Sequence, residues 1–323
     1  MIWYVKDAEV RSVLTADDCN QVIEQTFIDE AKGQVVNRPR VELALPRGTG
    51  LRLKAGGVFS ENAYGFKAYP AGGRYTIFVY DVDQGLQGIV EGRQLTELRT
   101  AAVTVLGTKY MARPNADTVG IIGTGREARQ QLTSLSRLRK LRKVWCYSRS
   151  TENRERFASE MSERLQTEVV PADTGEACVR DADMVITITS ANEPVLFGAW
   201  LHEGQHITAV GATTRNRREL DEEAVLRCGT IAVELLEDAK DEVGEIIAAV
   251  EHGALSWDQV LEMKDIVTGA AKGRQSDNEI TLFDTVGVGA EDVAVATFVL
   301  RKAREMGVGR EIDIEPAYNT VRR

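Results

Sequence analysis

Hydrophobic and polar residues follow two different periods in the first third of the chain. Over residues 15–32 apolar positions recur every three or four residues, which predicts an amphipathic helix. Over residues 40–90 short apolar segments alternate with polar positions between Gly and Pro residues, a pattern typical of antiparallel strands and hairpins. A second helix is expected over about residues 96–111. These elements predict a sheet with few helices of its own.

From residue 118 onward, apolar runs of strand length alternate with segments of helical periodicity. The helical segments are predicted at 126–141, 151–165, 174–180, 220–228 and 241–251. Repeated β–α units of this length indicate an α/β fold, a Rossmann-type, doubly wound parallel sheet. A last apolar run and a long helix follow, and we expect that helix to return to the N-terminal segment. The predicted domains are residues 1–115 with 300–323, and residues 116–299.

Composition and charge exclude several classes of protein. The 323 residues are 43% hydrophobic and 28% charged, which is ordinary for a globular protein and excludes disorder. The net charge of −9, with the acidic excess after residue 115, argues against a nucleic-acid partner. No apolar stretch approaches the ~20 residues that span a bilayer, and Lys6, Asp7 and Glu9 are incompatible with a secretory signal. We therefore predict a cytoplasmic protein with no membrane partner.

Cysteines and histidines provide no metal site in this sequence. The four cysteines are far apart without a C-x-x-C motif, so we interpret them as small buried hydrophobes. His202 and His206 are four residues apart, but Gly204 between them disfavours a helical metal pair. No metal is predicted. Four carboxylates are interpreted as helix-start residues that complement the helix dipole, namely Glu219, Asp221, Glu291 and Asp292.

A glycine-rich turn between a strand and a helix predicts a dinucleotide site. Residues 123–128 read G-x-G-x-x-A directly after the apolar run 118–122. Gly123 permits the tight turn, Gly125 lets the backbone approach a diphosphate, and Ala128 allows the helix to pack closely on the strand. The diphosphate then lies at the helix N-terminus, where free N–H groups favour an anion. The residues assigned to it are Gly123, Thr124, Gly125, Arg126 and Glu127.

The end of the next strand bears on the choice between NAD(H) and NADP(H). An NAD-binding chain usually carries an acidic residue there for the ribose 2′-hydroxyl, but here no acid occurs before Glu152. Ser148 and Ser150 can form hydrogen bonds, and Arg149 can pair with a 2′-phosphate. The alternative is an exposed arginine at a helix start. We predict NADP(H) as the preferred cofactor, with NAD(H) possible.

Five motifs occur along the chain, namely GFK at 65–67, LTELRTAA at 95–102, IGTGREA at 122–128, AVGA at 209–212 and TLFDTVG at 281–287. In their order and spacing they resemble the ornithine cyclodeaminase/mu-crystallin family over nearly the whole chain. The resemblance implies a discontinuous substrate-binding and dimerisation domain beside a Rossmann domain, and a homodimer. It also implies hydride transfer between a nicotinamide and the α-carbon of a small amino or imino acid.

The resemblance assigns the substrate's carboxylate region to Arg40, Lys67 and Arg99. An arginine can hold a planar carboxylate with two parallel hydrogen bonds, and a lysine can donate a proton as an imine becomes an amine. Each arginine also has a structural alternative. Arg40 could be an ordinary surface residue, and Arg99, in a helix capped by Thr96, could pair with Glu97 or Asp81. The nicotinamide ribose is expected to be bordered by Thr187, Thr189, Ser190 and Gly211.

Two positions depart from the cyclodeaminase pattern. Thr213 stands where those enzymes carry an aspartate that acts on the amino groups of ornithine. Arg52 matches a position where they carry a glutamate for the distal ammonium, so it would repel ornithine and could attract a second carboxylate. The sequence therefore favours an NADPH-preferring ketimine reductase or amino-acid dehydrogenase, such as an alanine dehydrogenase. The alternatives are ornithine cyclodeamination to proline and ammonia, and a non-catalytic NADPH-binding protein.

Overall fold

A computed structural model describes residues 2–45, 49–70 and 73–313. The strands are β1 (Ile2–Val5), β2 (Val35–Leu45), β3 (Thr49–Val58), β4 (Ala63–Pro70), β5 (Thr76–Asp81), β6 (Gly85–Glu91), β7 (Thr118–Ile122), β8 (Lys143–Tyr147), β9 (Glu168–Pro171), β10 (Met184–Thr187), β11 (His206–Ala209), β12 (Thr230–Val233), β13 (Val260–Glu262), β14 (Thr281–Asp284) and β15 (Arg310–Ile312). The helices are α1 (Asp7–Val13), α2 (Ala16–Ala31), α3 (Arg93–Met111), α4 (Arg126–Leu138), α5 (Thr151–Leu165), α6 (Gly175–Val179), α7 (Glu222–Leu226), α8 (Leu236–Glu242), α9 (Gly244–Glu251), α10 (Met263–Val267) and α11 (Gly289–Met306).

The chain divides into two compact units, whose bounds differ from the predicted domains. The first unit is drawn from Met1–Thr15, Gln34–Thr96 and Gly289–Arg323, and the second from Ala16–Gly33 and Glu97–Val288. Helix α2 groups with the second unit because it packs against α10 and α4, and all of α11 groups with the first because it packs on β3 and β4. The last ten positions of the predicted N-terminal domain, 314–323, lie outside the described residues.

The first unit is built on a sheet whose seven described strands run in the order β15-β1-β6-β5-β4-β3-β2. All neighbours pair antiparallel except β1 and β6, which confirms the hairpin pattern predicted for residues 40–90. Helix α11 approaches β3 backbone to backbone. A Cβ on Gly56 would lie 2.3 Å from Ala290 N, and one on Gly289 would lie 2.4 Å from Ala55 C. The Asn37 side chain accepts a hydrogen bond from Ala290 N and so satisfies one free donor of the helix.

The second unit contains an entirely parallel sheet, with the described strands in the order β13-β12-β14-β11-β10-β7-β8-β9. The order reverses between β7 and β10, and ligands of doubly wound sheets bind outside the strand ends at such a point. Buried apolar side chains form one cluster that includes Val185, Ile207 and Leu282, and a second that includes Ile121, Leu132 and Phe157. The predicted doubly wound fold is therefore confirmed.

The structure corrects three details of the helix prediction. Helix α3 begins at Arg93, so Thr96 lies inside the helix and is not its cap. Its first turn is instead stabilised by a distant carboxylate, because Asp7 Oδ1 accepts a hydrogen bond from Gln94 N. The segment predicted as one helix over 241–251 is divided into α8 and α9 at Val243, and β13 and α10 were not predicted.

All four cysteines are buried and free, as their interpretation as small hydrophobes requires. Burial raises the pKa of Cys146 and of Cys228 to about 12, so both are neutral thiols. Within the described part of the chain, no helix combines the length and the apolar character needed to cross a membrane.

Candidate active site

The loop after β7 has the geometry that a dinucleotide requires. Gly123 has a φ of +115°, and a Cβ at this position would lie 2.2 Å from Ile188 O, so only glycine fits. Gly125 immediately precedes α4 as its N-cap residue and offers no side-chain cap, and a Cβ there would meet nothing within 4 Å. The open space lies in front of the helix N-terminus, whose first N–H groups favour an anion. The residues present therefore fit the diphosphate of a dinucleotide.

The side chains around this loop are partly engaged with one another. Thr124 Oγ1 lies 3.0 Å from Ser148 Oγ, which donates in turn to Ser150 O. Ser150 Oγ accepts from the Asn153 amide and caps α5. Arg149 is exposed. Arg149 and Ser150 are thus both exposed after β8, and the hydroxyl of Ser150 is engaged in the helix cap.

Two loop residues assigned to the diphosphate have exposed or half-exposed side chains. The side chain of Arg126 forms an ion pair with Glu97, with 2.5 Å between Nε and Oε1, and Glu127 lies beside it in the first turn of α4. This pair gives Glu97 a cationic partner other than Arg99, although the sequence had offered Glu97 as a partner of Arg99.

A buried glutamate joins the loops that follow β10 and β11. Both oxygens of Glu219 accept backbone hydrogen bonds, Oε1 from Thr189 N at 2.6 Å and Oε2 from Gly211 N at 2.7 Å. Thr187 lies buried at the end of β10, and Ser190 is exposed in the loop that follows. The four residues assigned to the nicotinamide ribose thus occupy neighbouring strand ends. The helix-start interpretation of Glu219 misses this role, whereas Asp221 does cap α7 by accepting from Ala224 N.

Glu219 belongs to a cluster of buried carboxylates at the carboxyl edge of the parallel sheet. Burial, together with the charge of Glu219, raises the pKa of Glu245 to about 7. The pKa of Asp284 is raised well above its ordinary value by burial and by the charges of Glu245, Glu219 and Glu234. The shift follows from burial together with neighbouring carboxylates, since both disfavour a further negative charge on Asp284. No sequence motif indicated this cluster.

In the first unit, Lys67 forms a buried ion pair with Asp292. Lys67 Nζ lies 2.9 Å from Oδ1 and 2.7 Å from Oδ2, and the two side chains are 4% and 0% exposed. The rings of Tyr69 and Tyr75 lie 5.5 and 5.7 Å from the ammonium. Asp292 belongs to the first turn of α11, so its carboxylate also complements the helix dipole, but its direct partner is the lysine. The sequence analysis did not assign it this role.

The other cations of the first unit lie on β2 and β3. Arg40 is half-buried at an irregularity in the pairing of β2 with β3, between Arg38 and Val41, where a bulge redirects side chains. Arg52 Nη2 lies 3.2 Å from Glu42 Oε1 on the neighbouring strand, which reduces the charge that it offers to a second carboxylate.

A second buried lysine was not among the predicted site residues. Lys54 on β3 lies directly opposite Lys67 on β4 and is only 3% exposed. Residues opposite each other in neighbouring strands share one face of a sheet, so the two lysines lie on the same face. A lysine in the middle of an apolar strand is the sequence signal that could have indicated it.

Arg99 belongs to α3 in the second unit and is 5% exposed. Its guanidinium lies directly against Gly287 in the segment that follows β14, since a Cβ on that glycine would be 2.3 Å from Nη1. The structure thus buries Arg99 next to the TLFDTVG motif.

No cluster of three or more His, Cys, Asp or Glu side chains suited to a metal ion occurs among the described residues. His206 is buried, with its Nδ1 2.9 Å from Thr281 Oγ1, while His202 Nδ1 forms a hydrogen bond with the backbone oxygen of Glu203. Burial and the nearby Arg274 lower the pKa of His206 to about 3, so its ring is neutral. The two histidines have separate structural partners.

The parallel sheet, its reversal of strand order and the open glycine loop define a dinucleotide-binding protein of the Rossmann class. Within that class the chain belongs to the ornithine cyclodeaminase/mu-crystallin family, whose sequence signature matches residues 3–307. The resemblance noted from the motifs is therefore confirmed over nearly the whole chain.

The chain is also similar to individual proteins of known activity. It is 31% identical to the iminosuccinate reductase of Paracoccus denitrificans over 96% of this chain and 99% of that protein. The structure of Thermococcus litoralis Delta(1)-pyrroline-2-carboxylate reductase in complex with NADH and L-proline has a TM-score of 0.92 at 29% identity, and covers 96% of this chain and 100% of its own. An archaeal alanine dehydrogenase dimer with bound NAD has a TM-score of 0.90 at 29% identity, and the match covers 97% of this chain and 99% of that one.

The buried ion pair leads to a prediction about stability. Lys67→Gln or Asp292→Asn alone leaves one buried charge without its partner and should cost roughly 3–5 kcal/mol. The double variant replaces the ion pair by two neutral amides that can hydrogen-bond, so its cost should be well below the sum of the two. Urea unfolding of the four proteins measures the coupling.

The matched control for this cycle is the exposed pair of Arg301 and Glu61 in the same unit, at 3.0 Å. Glu61→Gln should cost less than about 1 kcal/mol, because exposed ion pairs contribute little. Additive single-variant losses at Lys67 and Asp292 would show that the two side chains do not interact in solution.

Proposed function

We propose that the chain is an NAD(P)H-dependent reductase of small 2-imino acids, a ketimine reductase that can also act in reverse as an amino-acid dehydrogenase. The observation that carries the proposal is the buried ammonium of Lys67 in contact with Asp292, 2.7 Å away. A buried cation that keeps a carboxylate partner is a suitable proton donor toward an imine nitrogen. The family and the activities of the similar proteins support the same class of reaction.

In this proposal the protein binds and orients the substrate and supplies the proton. The bound nicotinamide supplies a hydride to the α-carbon of the imino acid. Lys67 donates its proton to the imine nitrogen, so one hydride and one proton convert the C=N bond into an amine. Arg40 and Arg99 hold the planar carboxylate, which determines which face of the C=N bond is presented. Asp292 holds the ammonium of Lys67 in place through their ion pair.

Two observations favour this activity over its alternatives. Thr213 replaces the aspartate expected of a cyclodeaminase, so no acid or base of that type is available for the second amino group of ornithine. A protein that only binds NADPH has no need of a buried proton donor, and burying Lys67 with Asp292 has a desolvation cost.

The direct test is oxidation of NADPH and NADH by the purified protein. We expect turnover with pyrroline-2-carboxylate or piperideine-2-carboxylate, and we would compare pyruvate with ammonium and oxaloacetate with ammonium. The Lys67→Gln/Asp292→Asn variant should still bind NADPH but lose at least about a hundredfold in kcat, because general acid catalysis contributes that much. Unchanged turnover in this variant would exclude Lys67 as the donor.

The products discriminate among the three functions. Ammonia released from ornithine without net reduction of the cofactor would indicate a cyclodeaminase, and cofactor binding without turnover on any imino acid would indicate a binding protein. Turnover confined to the oxaloacetate and ammonium mixture would favour a dicarboxylic imino acid, as for the similar iminosuccinate reductase. Arg52 would then be the residue to examine, despite its partner Glu42.

We further propose that NADP(H) is preferred to NAD(H). No carboxylate occurs at positions 148–151 after β8 to accept the ribose 2′-hydroxyl, and Arg149 is exposed there. The similar structures contain NAD or NADH, so the preference is a property proposed for this chain's own residues.

Arg149→Ala tests the cofactor proposal. Removing a charged hydrogen-bond donor from the 2′-phosphate should weaken NADPH binding roughly tenfold or more and leave NADH binding unchanged. Fluorescence titration of both nucleotides measures this. Arg142→Ala is the control, since Arg142 is an exposed arginine that precedes β8 and pairs with Asp117. Equal losses for both nucleotides would contradict a role at the 2′-phosphate.

We also propose a homodimer formed through the outer face of β2 and β3. Val41, Leu43 and Leu45 on β2 and Leu51 on β3 are exposed, and Leu43 pairs directly with Leu51. Gly56, on the other face of β3, lies against α11, so these leucines and the valine point away from that helix. A contiguous exposed apolar patch of this kind is typical of a protein interface, and a similar archaeal alanine dehydrogenase is a dimer.

Charge placed in this patch should produce monomers. We expect a molar mass near twice 35.6 kDa for the natural chain by light scattering, and near 35.6 kDa for Leu43→Glu/Leu51→Glu. Val82→Glu changes an exposed apolar residue of the same unit outside the patch and should remain dimeric. A double variant that stays dimeric would place the interface elsewhere.

The cytoplasmic location stays a prediction from the sequence.

A further inference from the structure

Glu234 holds the segment that follows β14 by three hydrogen bonds. Its carboxylate, 2% exposed, accepts from Thr285 Oγ1 at 2.5 Å, from Val286 N at 2.9 Å and from Gly287 N at 2.7 Å. Thr285 N donates to Ala209 O of the neighbouring strand. Three donors on one buried carboxylate leave residues 285–287 little conformational freedom.

Gly287, at the end of this segment, lies directly against the guanidinium of Arg99. Its φ is +74°, and a Cβ would lie 2.3 Å from Nη1, 2.9 Å from Nη2 and 3.0 Å from Cζ of Arg99. The three atoms nearest to such a Cβ thus all belong to the guanidinium of Arg99. The guanidinium of Arg99 therefore occupies the space that a side chain at position 287 would need.

We propose that Gly287 and Glu234 are positioning residues for Arg99. Glu234 fixes the 285–287 segment. Because Gly287 has no side chain, the guanidinium of Arg99 can lie against it, in the position from which it binds the substrate's carboxylate. The inference rests on the proposed function, because it takes the carboxylate of a 2-imino acid as the ligand of Arg99. Neither residue touches the substrate in this scheme.

The geometry predicts which group moves when the glycine is replaced. A Cβ at Gly287 collides with the flexible end of a side chain rather than with backbone, so the fold can accommodate alanine while the guanidinium cannot stay in place. Two parallel N–H···O bonds require the fork and the carboxylate to be coplanar, so a displaced guanidinium loses at least one of them. The main effect should fall on substrate affinity.

Gly287→Ala tests the proposal against Gly269→Ala. Gly269 has a φ of +78°, close to that of Gly287, but a Cβ there would meet nothing within 4 Å. Both variants therefore carry the same backbone strain, and only the first displaces Arg99. The probe is pyrrole-2-carboxylate, a planar unreactive carboxylate, titrated calorimetrically into the NADP-loaded protein alongside KM for pyrroline-2-carboxylate.

For Gly287→Ala we expect the Kd of pyrrole-2-carboxylate and the KM of the imino acid to rise roughly ten- to hundredfold. NADPH affinity should be unchanged, and Gly269→Ala should match the natural protein in all three. Glu234→Gln should shift the same constants in the same direction, because it loses the charge that holds three donors. In an Arg99→Ala background, Gly287→Ala should have no further effect, because the two changes act on one interaction.

The failures are distinguishable. Equal Kd and KM for Gly287→Ala and Gly269→Ala, or an additive effect in the Arg99→Ala background, would overturn the positioning role while leaving the reductase intact. Binding of pyrrole-2-carboxylate that depends on Gly287, without turnover on any imino acid, would contradict the proposed function and retain the role of Gly287. Natural protein that neither binds the probe nor turns over would overturn both.

Discussion

The burial of Lys67 beside Asp292 is the constraint on which the first compact unit depends. A charge inside a protein has a desolvation cost of several kcal/mol, so a buried ammonium needs a close and well-directed anion. That anion comes from the first turn of α11, and it reaches β4 only because α11 contacts β3 at Gly56 and Gly289 without intervening side chains. The buried ammonium of Lys67 therefore requires the close packing of α11 on the sheet, because that packing brings Asp292 within reach of it.

The second unit uses buried carboxylates to organise backbone at the carboxyl edge of its parallel sheet. Glu219 joins the loops after β10 and β11, and Glu234 holds the segment after β14. Ligands of doubly wound sheets bind at this edge, where loops would otherwise be mobile. Placing several acids there has a consequence, since burial and the neighbouring carboxylates raise the pKa of Asp284 well above its ordinary value.

These features together suit the reduction of an imine better than the other reactions of the family. Imine reduction needs a proton donor, a clamp for one carboxylate and a site for a dinucleotide, and the chain offers a candidate for each. Cyclodeamination would need a further acid or base, and the family resemblance assigns its expected position to Thr213, which is a hydroxyl. A protein that only binds the cofactor would need the glycine loop, but it would not need a buried lysine as a proton donor.

Local sequence patterns determined much of this protein. The doubly wound sheet, the glycine loop and the family motifs are contiguous in the chain, so their periodicity and residue types suffice to predict them. The start of α3 was misplaced because the carboxylate that stabilises its first turn, Asp7, is 87 residues away from Gln94. The prediction of one helix over 241–251 was wrong for a similar reason. Gly244 lies against the backbone of Arg217, a contact that is distant along the chain.

Only the tertiary structure decided the partners of the functional groups. Asp292 is 225 residues from Lys67. The sequence analysis interpreted Glu219 as a helix-start acid and assigned neither Glu234 nor Gly287 a role of its own. Their roles arise from contacts between side chains and distant backbone. Hydrogen bonds and ion pairs act over a few ångströms in space whatever the separation along the chain, whereas periodicity reports only on near neighbours in sequence. The sequence by itself therefore determined the fold class, most of the elements and the class of ligand, and the folded chain decided which charges are buried and which group each one holds in place.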